Sequence, residues 1–285
     1  MLVLFLAAIV WGFAFTAQNM GADSLGPLYF NALRSILAAV VLVPVVLVFE
    51  TNATDRAKQK STLIYGSIAG AVLFIASNLQ QLGIGLTDSS GKAGFITGLY
   101  MLIVPFIAIF LGKRTSLRIW LCAALGVLGL FLICVTGEGF SFSFGDTVLV
   151  LCAVFYSVQI TVIDSASSKI YPIRFAFVQA LVAGLLSLLF ALPLESISVS
   201  AVESALIPIL YCGIMSSGVG YTLQIVGQTR CDPTIASLIM STESVFSVIG
   251  GAIILSERMS PSAYTGCAII FAAIVISQLP GRKTT

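Results

Sequence analysis

Residues 79–88 read Leu-Gln-Gln-Leu-Gly-Ile-Gly-Leu-Thr-Asp, and residues 223–232 read Leu-Gln-Ile-Val-Gly-Gln-Thr-Arg-Cys-Asp. A separation of 144 residues carries Leu79, Gln80, Gly83 and Asp88 onto Leu223, Gln224, Gly227 and Asp232. The same separation carries Arg114 onto Arg258 and Ser116 onto Ser260, and one of 145 carries Pro27 onto Pro172 and Arg34 onto Gln179. Leu and Ala matches arise by chance between two apolar strings, so the polar residues at one separation carry the argument. The chain reads as a duplication with halves at 1–136 and 144–279.

The composition fixes the solvent. Of 285 residues 58% are hydrophobic and only 9% charged, where a water-soluble domain carries roughly a quarter charged residues. Apolar runs near the roughly 20 residues that span a bilayer fall at 1–18, 28–49, 63–86, 90–111, 117–135, 144–163, 172–192, 205–227, 233–255 and 261–276. Pro27, Pro172, Pro233 and Pro261 open runs, as suits a first helical turn that has no use for the missing N–H. The first run has no basic leader and no small-residue cleavage site, so it is expected to stay as a helix. The fold expected is an all-α polytopic membrane protein of ten transmembrane helices.

With the N-terminus inside, the inner segments hold Arg56, Lys58, Lys60, Lys113, Arg114, Arg118, Lys169, Arg174, Arg230, Arg282 and Lys283. The outer loops hold Arg258 alone, and the positive-inside rule therefore puts both termini in the cytoplasm. Five helices per half is an odd number, so the second half enters the membrane inverted. Inverted repeats of this kind recur in secondary transporters, with substrate held near the midplane between the halves.

The absence of His removes Ser-His, Cys-His and His-ligated metal chemistry, and a net charge of +2 gives no footprint for nucleic acid. Cys122, Cys134, Cys152, Cys212, Cys231 and Cys267 contain no C-x-x-C and read as small apolar residues. No nucleotide-binding loop of the G-x-x-x-x-G-K-[ST] type is present, so ATP does not drive the protein directly. Neither a metal nor a cofactor is called for.

Trp11-Gly12 in the first run, Pro27 followed by Arg34 in the second, Gly112-Lys-Arg-Thr-Ser116 and its echo Ser256-Glu-Arg-Met-Ser260 together resemble the EamA-type drug/metabolite transporter superfamily. Phe155 and Ser244 depart from that pattern, which often has Trp and Pro there. The resemblance implies a secondary carrier of small metabolites, often amino acids and frequently exported, in a prokaryotic plasma membrane. It further implies a cavity lined by the first, third, fourth, sixth, eighth and ninth helices. Protons and lipid are the other partners expected; one chain suffices, and a dimer is compatible.

A charge at the bilayer centre costs about 2.5–3.5 kcal/mol, so each one needs a partner, water or a function. Glu243 lies near the middle of the ninth run and is expected to bind substrate, to exchange protons, or both; a structural bond to a neighbouring helix is the bland reading. Lys92 is a turn inside the fourth run and either snorkels to the interface or serves a substrate carboxylate. Arg34 reads first as structural, bonding loop carbonyls or a helix end, and second as a carboxylate partner. Asp88 and Asp232 read as helix caps. Trp11, Phe15 and Gln18 fall on one helical face, and Gln80 and Gln224 are equivalent under the repeat, as are Asn78 and Thr222. The expected substrate-binding set is Glu243, Lys92, Trp11, Phe15, Gln18, Gln80 and Gln224 with Tyr100, Tyr156, Gln159 and Tyr221. Gly66 and Gly70 are assigned to close packing and Pro105 to a bend. An amine or quaternary-ammonium substrate needs Glu243 with Trp11, Phe15 and Tyr100 as an aromatic box. A channel would instead be expected to present rings of like residues.

Overall fold

Backbone in an apolar medium must close its hydrogen bonds internally, and the computed structural model meets this with helices; among the described residues there is no strand. It describes residues 1–87, 90–112, 116–134, 143–256 and 260–278. Eight helical segments among them are long and apolar enough to cross a membrane. They are α1 (Leu2–Ala22), α2 (Pro27–Phe49), α3 (Arg56–Gly85), α4 (Ser90–Phe110), α6 (Phe144–Lys169), α7 (Pro172–Leu194), α8 (Leu206–Gln228) and α9 (Pro233–Ile254). Helices α5 (Leu117–Cys134) and α10 (Pro261–Gln278), of 18 residues each, complete the set in chain order. A short helix, Val199–Ser204, precedes α8.

The expected runs and the helices coincide closely, with one informative difference. Helix α3 starts at Arg56, not 63, because Asp55 accepts from Ala57 N at 2.8 Å and Lys58 N at 3.2 Å and so caps a polar first turn. Asp232 caps α9 as expected, accepting from Thr234 N at 2.9 Å. The predicted cap Asp88 lies outside the described residues, as do Lys113, Arg114, Arg258, Arg282 and Lys283 from the charge count.

Helix pairing follows a pattern. Helix α2 packs on α7, α3 on α6 and α7, α5 on α10, α1 on α8 and α9, α8 on α2, and α4 on α6 and α9. Advancing each helix number by five returns the same scheme. The matched glycines supply a physical reason for the matched sequence. A Cβ on Gly83 would lie 2.6 Å from Leu149 Cγ of α6, and one on Gly227 would lie 2.6 Å from Leu4 Cγ of α1. Only glycine admits either leucine. Gly66 and Gly70 likewise bring α3 onto Val178 and Val182 of α7, the close packing expected of them.

Helices α2 and α7 are tied at both ends. Glu50, after the last turn of α2, accepts from Ile173 N at 3.0 Å and Arg174 N at 2.9 Å at the start of α7. Glu195, after the last turn of α7, accepts from Leu28 N at 3.0 Å and Tyr29 N at 2.9 Å at the start of α2. Each carboxylate thus satisfies two N–H groups that the helix itself cannot, at its positive end. Such reciprocal capping requires the two helices to run antiparallel.

Two helices are interrupted. Helix α4 breaks at Leu99 between Ser90–Gly98 and Tyr100–Phe110, and α9 breaks at Ser241 and Thr242 between Pro233–Met240 and Glu243–Ile254. The bend expected at Pro105 therefore falls earlier in the chain. The carbonyl that Pro105 leaves without its helical donor is that of Met101, inside the second segment, so the break at Leu99 lies beyond the proline's own disturbance. In α9 no proline acts; Ser241 Oγ and Thr242 Oγ1 bond back to Leu238 O (2.8 Å) and Ile239 O (2.6 Å), which competes with helical bonding. The first segment of α4 packs on the second of α9 and the second on the first, so the breaks meet where the two helices cross. Helix α8 departs differently: Tyr211–Gly220 adopts the wider π-helical turn, a form concentrated at functional sites.

Candidate functional site

The breaks and the π-helical turn face one cavity with an empty volume of about 440 Å3. From α1, Trp11, Phe15 and Gln18 enter it as the single stripe their spacing predicts. Helices α3 and α4 contribute Gln80, Thr97 and Tyr100; α6 contributes Tyr156 and Gln159. Helix α8 adds Ser216, Tyr221 and Gln224, and α9 adds Met240 and Glu243. Every residue of the expected substrate-binding set lines the cavity except Lys92.

Gly12 explains how α1 reaches α9. A Cβ there would lie 2.7 Å from the Glu243 carbonyl oxygen and would overlap Phe246, so the glycine of Trp11-Gly12 lets α1 close on α9 while the adjacent indole turns to α8. The indole Nε1 donates to Ser216 O at 3.1 Å inside the π-helical turn, and its ring lies 5.0 Å from that of Tyr221.

The amides form networks across helices. Gln159 and Gln224 donate to each other at 3.3 and 3.1 Å, and Gln159 also donates to Gln179 Oε1 at 3.1 Å. Tyr156 donates to Gln80 Oε1 at 3.0 Å and lies 3.2 Å from the Tyr221 hydroxyl. Their symmetric placement therefore serves helix association as well as the cavity wall. Asn78 bonds Ser187 and Asn31 between helices, whereas Thr222 bonds Gly218 O within α8.

Two buried ionisable side chains share the cavity without forming an ion pair. Glu243 is 4% exposed and Arg34 2%. Among the described residues, the ion pair within 4.0 Å is Lys92 with Asp146, so Arg34 and Glu243 are not joined. Glu243 Oε1, Arg34 Nε, the Tyr100 hydroxyl and the Thr97 hydroxyl have no hydrogen-bond partner in the protein. Arg34 Nη1 donates to Gln18 Oε1 at 3.0 Å. The first reading of Arg34, on loop carbonyls or a helix end, is thus corrected: its guanidinium reaches the cavity wall. The signal was available, because Arg34 lies seven residues beyond Pro27, two turns into the helix and within reach of the α1 stripe.

Lys92 goes elsewhere. Its ammonium lies 2.8 Å from Asp146 Oδ2, at the end of the molecule that also holds Glu195. Asp146 is fully buried and forms a capping box with Ser143 at the start of α6. A lysine one turn into its helix meets a cap on the neighbouring helix before it can reach a cavity farther down. Sequence reading did not mark Asp146, though Ser143 followed three residues later by Asp before an apolar run signals a helix start.

The model of the EamA-like transporter family matches residues 1–135 and again residues 143–278. An uncharacterized transporter of Archaeoglobus fulgidus is 26% identical over 278 residues, which is 97% of this chain and 84% of that protein. The uncharacterized transporter YwfM of Bacillus subtilis is 24% identical over 291 residues, covering 100% of this chain and 95% of that one. In fold, one crystal structure agrees with a TM-score of 0.80 at 20% identity, covering 97% of this chain and 95% of its own.

Proposed function

This chain belongs to the EamA-like transporter family, and on that premise we propose that it is a secondary carrier of small polar metabolites, amino acids or their relatives, working by alternating access. The observation that carries the reading is Glu243: a buried carboxylate at the break of α9, with an oxygen unpaired by the protein, in a cavity formed where α4 crosses α9. A buried carboxyl group with an oxygen left unpaired is costly, and within a membrane such ionisable groups mark transport pathways. Glu243 can hold a substrate ammonium, exchange a proton, or do one in each half of a cycle. Coupling to protons or to the substrate gradient follows from that chemistry.

The architecture proposed is ten transmembrane helices in two inverted halves, 1–136 and 144–279. The self-mapping helix pairing, the antiparallel α2–α7 ties and the crossed α4–α9 segments support it. Both termini are placed in the cytoplasm of a plasma membrane on the lysine and arginine count, and export is the direction proposed. A second reading, transport of an amine or quaternary ammonium, draws on the aromatic wall of Trp11, Phe15, Tyr100 and Tyr221 around the same carboxylate.

Reconstitution tests this. In liposomes loaded with one amino acid, saturable counterflow of its labelled form is expected, abolished or stripped of pH-gradient dependence by Glu243→Gln. Ohmic conductance without counterflow would show a channel instead.

A further inference from the structure

Arg34 is a guanidinium buried in a membrane protein's interior, and the protein leaves it short of acceptors. Its Nη1 has one neutral acceptor, Gln18 Oε1 at 3.0 Å, and its Nε has none. Its Cζ lies over the Phe30 ring, 5.8 Å from the centroid, so an aromatic ring backs the guanidinium. The corresponding place in the other half is neutral: Gln179 accepts from Gln159, an amide met by an amide. A guanidinium has five donors in a fixed fork suited to a carboxylate. An amide oxygen occupies one of them and carries no charge.

Glu243 faces the same cavity from α9 with the opposite deficit, and the two are not ion-paired. Held apart, they form two poles. The lining they share also carries apolar surface, from Trp11, Phe15, Ile160 and Met240.

We infer that Arg34 is the anion-recognising residue of the carrier, that Gln18 is an internal ligand displaced by the substrate carboxylate, and that the substrate is a zwitterion bridging Arg34 and Glu243. This rests on the proposed carrier reading of the cavity. The carboxylate lies toward α2 and the ammonium toward α9, with an apolar side chain against the intervening wall. Gln18 then sets affinity, because its bond to Arg34 must break before the carboxylate forms its own. Arg34→Lys keeps the charge but loses the fork, and it falls between wild type and Arg34→Gln.

The test is a binding measurement on the purified full-length protein by thermal stabilisation, since a ligand that binds the folded state raises Tm. The probes are the twenty common L-amino acids and, for each that binds, its methyl ester, its N-acetyl derivative and the corresponding decarboxylated amine. In wild type the ester and the amine are expected to bind about tenfold or more weaker than the parent, because a site with charged donors left unpaired rejects the analogue. In Arg34→Gln the parent and ester converge to similar weak affinity, whereas Gln18→Ala tightens the parent several-fold and leaves the ester unchanged. Equal binding of parent and ester in wild type overturns the inference, as does discrimination that survives in Arg34→Gln. The wild-type comparison and Gln18→Ala stand even where Arg34→Gln does not fold. A panel in which amines bind best and depend on Glu243 removes the Arg34 pole but leaves a Glu243 carrier. A panel with no binder removes both.

Discussion

The two halves of the molecule are alike at their edges and unlike at their centre. At the edges, Glu50 and Glu195 make the same pair of bonds to the opposite half, with matching distances, and Gly83 and Gly227 receive Leu149 and Leu4 in the same way. At the centre, Arg34 stands where the second half has Gln179. Glu243 opens the second segment of α9 where Tyr100 opens that of α4. Repetition therefore governs the scaffold, and difference governs the cavity. A pair of like halves can exchange conformations at similar free energy, which a carrier needs. A ligand with a head and a tail needs a cavity whose two walls are not the same.

The largest effects are expected from erasing the central difference. Arg34→Gln copies the neutral residue of the second half into the first, and Glu243→Gln removes the opposing charge. Hydrogen bonds to charged groups are worth about 1.5–3 kcal/mol, so each change should slow amino-acid counterflow at sub-saturating substrate by roughly ten- to a hundredfold. The double variant should be little worse than either alone, because both poles serve one ligand. Counterflow that tolerates both changes would mean that the asymmetry is unconnected with substrate.

The edges provide the contrast. Gly83→Ala and Gly227→Ala each force a methyl against a leucine already in contact, at a cost of about 1–3 kcal/mol for overpacking. Equal losses of Tm would sharpen the symmetry, and a loss in one alone would break it. Glu50→Gln and Glu195→Gln keep an acceptor oxygen but lose the charge at a helix N-terminus, worth about 1 kcal/mol or less. The two sites lie at opposite ends of the α2–α7 pair, so their effects on Tm should add. Marked non-additivity would show that the ties communicate.

Much of this was legible in the sequence because apolar solvent makes patterns simple. Helix boundaries followed from run length and from Pro27, Pro172, Pro233 and Pro261, and the α1 stripe followed from spacing. Glu243 stood out because charge is expensive where it sits. What was not legible depended on contacts between distant segments. Glu50 and Glu195 share the 145-residue separation of Pro27 and Pro172, yet both look like ordinary acidic loop residues until helix α2 is seen beside α7. Arg34 and Lys92 carry the same charge near the same end of their helices, and only the neighbours decide that one faces the cavity and the other Asp146. The break in α9 has no proline to announce it, only hydroxyls whose competition for carbonyls is decided by packing.

The smallest expected effect concerns a difference between the two ends of the molecule. Lys92 bonds Asp146 at 2.8 Å between α4 and α6, and at a separation of 144 their counterparts are Ala236 and Leu2, which cannot form such a pair. Helices α4 and α6 belong to opposite halves, so on the proposed carrier reading the pair holds this end closed, and its Ala236 and Leu2 counterparts supply no such contact at the other end. The Lys92 side chain is 22% exposed, which discounts the pair toward the low value of surface ion pairs, about 1 kcal/mol. Lys92→Gln should accordingly raise the population open at this end by about fivefold. The readout is the reaction rate of a Thr97→Cys side chain, on the cavity wall, with a membrane-impermeant thiol reagent supplied from that side, against the protein lacking the added cysteine. Asp146→Asn should act in the same direction, and Lys92→Gln combined with it should add little. Independent effects of the two changes would show that the pair caps α6 without holding this end closed.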